Sequence, residues 1–178
     1  MKDGRRDAAW ASFGSREGWN MKKWMIVLAA VGLLGCGDDA SGDSIVRDLV
    51  SVNDDTAEYY CGCYFEALEY DSEAACLSDN AFTAAESECL VNAYGPVADL
   101  NPSQARCQLN ALRDAVACYR RLGCTATEEQ IDACDVMNDP ETICGSDDIC
   151  YGLAGTDLTE CEAAAASADT AADACFPE

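Results

Sequence analysis

NPSQARCQLNALRDAVACYRRLG, residues 101–123, is a helix with both ends written into it. Asn101 supplies a side-chain oxygen for the cap. Pro102 fits the first helical position, where no backbone donor is needed. Gly123 marks the stop. Between them Leu109, Leu112, Val116 and Tyr119 recur at helical spacing and form one apolar face. Cys107 and Cys118 are 11 residues apart, about three turns, so both thiols share a side. Such a helix cannot stand alone and asks for helical neighbours.

The flanking sequence supplies them. Ser44 to Leu68 carries Ile45, Leu49, Val52, Tyr60, Tyr64 and Leu68 at helical intervals, with Asp54-Asp55-Thr56 as a candidate break. Ser72 follows a turn and caps a short segment bearing Cys76. Thr83-Ala84-Ala85-Glu86 is a capping box, with a hydroxyl at the cap and a carboxylate three residues on. It opens a helix through Cys89 that is expected to end at Tyr94-Gly95-Pro96. Thr127-Glu128-Glu129-Gln130 opens another, through Ile131, Cys134 and Met137, closed by Asp139-Pro140. Residues 142–155 are less regular, and 157–174 are alanine-rich and helical. No stretch alternates as a half-buried strand does. The expectation is therefore an all-α domain over 44–178, a small disulfide-stapled unit of five or six short helices in antiparallel hairpins.

Upstream, Met21 to Cys36 reads MKKWMIVLAAVGLLGC. Lys22 and Lys23 are positive, and Met25 to Leu34 is an uncharged apolar run of ten residues. A membrane span needs about 20 apolar residues, so this run is the length of a signal-peptide core. Leu33-Leu34-Gly35-Cys36 resembles the lipobox of bacterial lipoproteins. The resemblance implies a diacylglycerol on the Cys36 thiol, cleavage before Cys36 and acylation of the new amine. With Gly37 rather than Asp behind the cysteine, it also implies outer-membrane sorting. Residues 21–35 are then the signal peptide and 36–43 a polar, glycine-bearing tether. Residues 1–20 read as an upstream extension from a misassigned start, or else as a long n-region, and in either case are expected to lie outside the fold. The body is similar to cysteine-rich helical envelope lipoproteins of some Gram-negative bacteria, on cysteine density and turn placement alone; that likeness carries no activity.

The chain has 13 cysteines. If Cys36 takes the lipid, an even set of 12 remains: Cys61, Cys63, Cys76, Cys89, Cys107, Cys118, Cys124, Cys134, Cys144, Cys150, Cys161 and Cys175. In an exported chain such a set reads as six bridges. Zinc binding needs closely spaced ligand pairs such as C-x-x-C, and there is no such pair and no His. If residues 95–101 fold two helices into a hairpin, helix heights suggest Cys89–Cys107 as one bridge and Cys76–Cys118 as a nested second. Cys61 and Cys63, two apart on a helix, point apart and should find different partners.

Charge and composition exclude more than they assign. Removing residues 1–35 takes away six of the 11 Lys/Arg and three of the 33 Asp/Glu, leaving 5 and 30, a net charge of −25. That surface repels phosphate backbones, so nucleic acid is no partner. The mature chain has no His and no Lys, which removes Ser-His-Asp triads, Cys-His nucleophiles, Ser-Lys dyads and Schiff-base lysines together. No cofactor or metal is implied. Asp54-Asp55, Asp147-Asp148 and Asp132/Asp135/Asp139 do not fit a calcium loop and read as solvated surface. Arg106, Arg113 and Arg120, spaced by seven, line one stripe of the 101–123 helix. They either pair with acids on neighbouring helices or form a docking stripe for a protein partner. The leading expectation is a non-catalytic envelope lipoprotein with a binding or structural role, held to the membrane by its lipid at the periplasmic face or cell surface. The alternative is an enzyme, either a thiol oxidoreductase through Cys61 and Cys63 or a small carboxylate hydrolase.

Overall fold

The computed structural model describes residues 41–176. Cys36 and the signal-like stretch therefore lie outside the described residues. Among the described residues there are seven helices and no strand, as the sequence pattern required. They are α1 (Gly42–Tyr64), α2 (Glu73–Asn80), α3 (Ala84–Leu100), α4 (Pro102–Leu122), α5 (Glu128–Met137), α6 (Pro140–Cys144) and α7 (Gly155–Asp173). Six of them have eight residues or more. No helix among these residues is long and apolar enough to cross a membrane.

The local stop and start signals act where the sequence placed them. Ser72 accepts from the Ala75 amide. Thr83 and Glu86 close a capping box, as do Thr127 and Gln130. Asn101 caps α4, Pro102 is its first residue, and Gly123, at φ 67°, ends it.

Helix directions follow from side-chain pairs. Asp48 meets Arg113 and Asp55 meets Arg120, so α1 and α4 run parallel. Arg47 meets Glu88, while Gly42 meets Asp99 near the far end of α3, so α1 and α3 are antiparallel. Tyr94 to Asp169 and Cys89 to Cys175 make α3 and α7 antiparallel. The main core sits between these helices, with Ile45, Val46, Leu49, Val91, Val97, Leu109 and Val116 buried in it. Each fully buried aliphatic side chain of this size contributes roughly 1.5–3 kcal/mol.

Three expectations are corrected. First, α1 starts at Gly42 and runs unbroken through Asp54-Asp55-Thr56, so Gly42 and Asp43 belong to the domain and not to a tether. The three residues each find work in the helix. The Asp54 carboxylate accepts from the Phe82 amide at 2.8 Å, Asp55 pairs with Arg120, and the Thr56 hydroxyl donates to the Val52 carbonyl.

Second, α3 does not stop at Gly95-Pro96 but continues to Leu100. An internal Pro costs about 3 kcal/mol in lost bonding and crowding. Continuing buries Val97 and Ala98, at 3% and 2% exposure, and brings Asp99 to the Gly42 amide. Gly95 is where α1 crosses, not a cap.

Third, the two proposed bridges do not form; Cys89 pairs with Cys175 and Cys107 with Cys144, while Cys76 pairs with Cys61 and Cys118 with Cys134. The extension of α3 is the reason. It leaves Cys89 eleven residues before the corner, about 17 Å, and Cys107 five after it, about 8 Å. Cys89 is also turned toward α7 rather than α4.

Candidate functional site

Twelve cysteines fall into six bridges with Cα separations of 4.8–6.0 Å, within ordinary disulfide geometry. Besides the four pairs above they are Cys63–Cys124 and Cys150–Cys161. Cys61 and Cys63 do point apart. The first joins α2, the second the loop after α4. The two sulfurs therefore do not form a dithiol with each other, which a shuttle between them would require.

The arginine stripe lies along the seam between α4 and α1. Arg113 meets Asp48 at 2.7 Å; Arg120 meets Asp55 at 2.6 Å, with Glu58 at 3.8 Å. Arg106 is half-buried one heptad earlier. The stripe thus neutralises part of α1 through Arg113 and Arg120. On the other face of α1, Arg47 makes a two-pronged contact with Glu88 at 2.8 and 3.1 Å. That contact holds the Glu88 carboxyl below its usual range and the Arg47 guanidinium above its own.

The acidic clusters are divided among structural duties. Asp139 caps α6, accepting from the Glu141 amide and the Thr142 hydroxyl. Asp148 accepts from the Cys150 amide at 2.8 Å. Among the described residues no three carboxylates or thiolates converge to hold a metal ion.

One cluster escaped the sequence reading. Tyr59, Tyr60 and Tyr64 of α1 gather around Tyr119 of α4, with Cys118 and Cys134 in the same packed group. The Tyr59 and Tyr119 rings stack at 5.5 Å, and Tyr60 packs against Tyr119 at 5.8 Å. Tyr119 donates to the Asp135 carboxylate, and the Tyr59 and Tyr64 hydroxyls lie 3.3 Å apart. Burial pushes the Tyr59, Tyr60 and Tyr119 phenols up, Tyr60 to about 12 with the Asp135 charge adding to it. Asp135 is shielded by the rings, which raises its carboxyl; the Tyr119 bond pulls the other way. Phenols held protonated and a carboxylate already bonded make a structural knot, not a nucleophile. Its one signal in the sequence is the aromatic density of Tyr59-Tyr60-x-x-x-Tyr64.

In the main core, Val46, Leu49, Tyr94, Val97, Gln108 and Ile149 border a cavity of about 20 Å³. It is large enough for about one water molecule and no organic substrate.

The fold and its bridges define a small all-α domain stapled by disulfides. No family model matches the chain, and no curated protein or solved structure matches it.

Proposed function

We propose that this chain is a non-catalytic lipoprotein of the cell envelope, anchored to the outer membrane through acylated Cys36 and acting there as a rigid binding or structural module. The observation that carries the reading is the apolar run ending Leu33-Leu34-Gly35-Cys36, together with cysteine parity. The twelve cysteines from Cys61 to Cys175 are all in bridges, so Cys36 is the thirteenth and has no partner among them. Bridges at this density suit an oxidising compartment. Several acyl chains hold a protein where one would not.

The absence of His and Lys after Cys36 supports a non-catalytic role, as does the assignment of the acids to caps and ion pairs. Any protein partner meets a strongly acidic surface and is favoured by a basic face of its own.

The test is Cys36→Ser in the native host. The variant should leave the membrane fraction, or retain an uncut signal and the corresponding mass. Unchanged fractionation and unchanged mass would sink the lipid-anchored reading. Labelling of the native protein with a thiol reagent separates the redox alternative: rapid modification at Cys61 or Cys63 would favour an oxidoreductase.

A further inference from the structure

We propose that the end of the domain bearing Leu100 and Tyr151 rests on the bilayer that holds Cys36, with those two side chains in the headgroup layer. This rests on the lipid-anchored reading and adds an orientation and a contact surface to it.

Reach is the first argument. Cys36 and Ser41, the cap of α1, are five residues apart. Five residues span at most about 18 Å. Whichever end of the domain holds the start of α1 is therefore kept at the membrane.

That end is well defined. Gly42 contacts Gly95 and Asp99, so the end of α3 lies beside the start of α1. The chain turns at Asn101 and α4 begins. The Asn101 amide donates to the carbonyls of Ile149 at 2.9 Å and Tyr151 at 3.1 Å, which ties the 145–154 loop to the same corner. Cys150–Cys161 then links that loop to the first turns of α7.

Its exposed side chains are unusual for so acidic a surface. Leu100 is 38% exposed and Tyr151 50%, with Pro102 open beside them. Ile143, 47% exposed, follows at the level of the Cys107–Cys144 bridge. Two other large apolar side chains, Val136 and Met137, are set apart where α5 ends. A tyrosine presents an apolar ring and a polar tip, which suits the boundary between headgroups and acyl chains. Two such side chains would not hold a free protein to a bilayer. On a five-residue tether their effective concentration is high, on the millimolar scale, and a weak contact is populated.

Charge selects the lipid. Asp43, Asp99 and Asp148 are exposed at this end. They oppose anionic headgroups and tolerate amine-bearing zwitterionic ones. The occupant is therefore a phosphatidylethanolamine-rich leaflet.

The sequence offers a clean probe. Trp10, Trp19 and Trp24 all precede Cys36, so the processed chain has no tryptophan. Tyr151→Trp then reports from the proposed contact. Ala67→Trp reports from just beyond the other end of α1, an exposed position roughly 35 Å away along the helix. Both variants, as the processed and lipidated chain beginning at Cys36, are reconstituted into phosphatidylethanolamine-rich vesicles carrying brominated acyl chains. Tryptophan at 151 should be blue-shifted and quenched, tryptophan at 67 neither. Adding Leu100→Asp, or replacing half the lipid with phosphatidylglycerol, should reduce the quenching while the protein still floats with the vesicles. Equal quenching at 151 and 67 in protein that floats overturns the proposed contact and leaves the anchor standing. Failure to float overturns the anchor, and the contact with it.

Discussion

Gly42 and Gly95 face each other where α1 crosses α3, and a β-carbon added to either would meet the other helix. One added at Gly42 would lie 2.0 Å from the Gly95 carbonyl oxygen, and one added at Gly95 would lie 2.0 Å from an Asp43 carboxylate oxygen. The first clash is with backbone and cannot be relieved by a rotamer change. The same approach puts the Gly42 amide 2.5 Å from the Asp99 carboxylate, satisfying a donor in the first turn of α1. Gly42→Ala should therefore lower stability by about 1–3 kcal/mol through overpacking, despite alanine's better helix propensity. Gly62→Ala is the control. Its nearest neighbour would be a Glu73 carboxylate oxygen at 3.7 Å, and it should gain up to about 1 kcal/mol. Urea unfolding of both variants checks the pair. A stable Gly42→Ala protein would mean the crossing is looser than described.

The misreading of Gly95 shows what the sequence could and could not carry. Thr83, Thr127, Ser72 and Asn101 were legible because a cap is a local device: side chain and amide lie within three residues. Gly95-Pro96 has the same local look, but its outcome was set by α1, which is about 50 residues away in sequence. Bridges are less legible still. Spacing gives a cysteine's height on a helix but not which neighbour it faces, so Cys89 toward Cys175 depended on where α7 packs. The tyrosine knot has no spacing rule to announce it, and the contact between Tyr119 and Asp135 needed α5 to fold back on α4.

The bridges should differ in weight. Cys63–Cys124 closes a separation of 61 residues, Cys150–Cys161 one of 11. On the chain-entropy account the longer loop contributes about 1.5 kcal/mol more. Replacing each pair by serine and comparing urea midpoints tests this, after peptide mapping without reductant has verified the six pairs. Equal losses would favour strain or local packing over loop entropy.

The tyrosine knot predicts alkaline unfolding. A phenol whose pKa is raised by folding adds stability that is complete below its unfolded value of about 10 and is lost as pH rises through the folded one. For Tyr60 that window runs from about 10 to about 12, and burial places Tyr59, Tyr94 and Tyr119 higher still. Rapid-mixing absorbance at the phenolate band should show some of the seven tyrosines ionising promptly and the rest only as helicity collapses. Tyr119→Phe should shift the collapse to higher pH. Seven phenols titrating together near 10 in a protein that stays helical would contradict the buried knot.

The ion pairs along the α1–α4 seam should matter little to stability. Arg113 and Asp48 are about half exposed, as are Arg120 and its partners. Exposed pairs contribute about 0.2–1 kcal/mol and are screened by salt. Arg113→Ala and Arg120→Ala should each cost less than about 1 kcal/mol, and less again at high ionic strength. A larger loss that resists salt would point to packing of the arginine stems instead.

The buried amides offer the sharpest internal comparison. Asn53 on α1 is 8% exposed, and neither its Nδ2 nor its Oδ1 meets a protein partner; the Gln108 Nε2 is in the same position beside the core cavity. Asn80 is more deeply buried, at 1% exposure, but its Nδ2 donates to the Cys76 carbonyl at 2.8 Å and to the Tyr70 hydroxyl at 3.1 Å. Burying an amide without partners costs about 1–3 kcal/mol, and an apolar side chain of similar size removes that cost. Asn53→Leu should thus raise the unfolding free energy by about 1 kcal/mol or more, and Gln108→Met should act in the same direction. Asn80→Leu should lower it, because the Cys76 carbonyl and the Tyr70 hydroxyl lose their donor. Chemical denaturation of the three variants reads all three signs at once. If Asn53→Leu proves as damaging as Asn80→Leu, the Asn53 amide is bonded in solution and the helix packing around it differs from the one described.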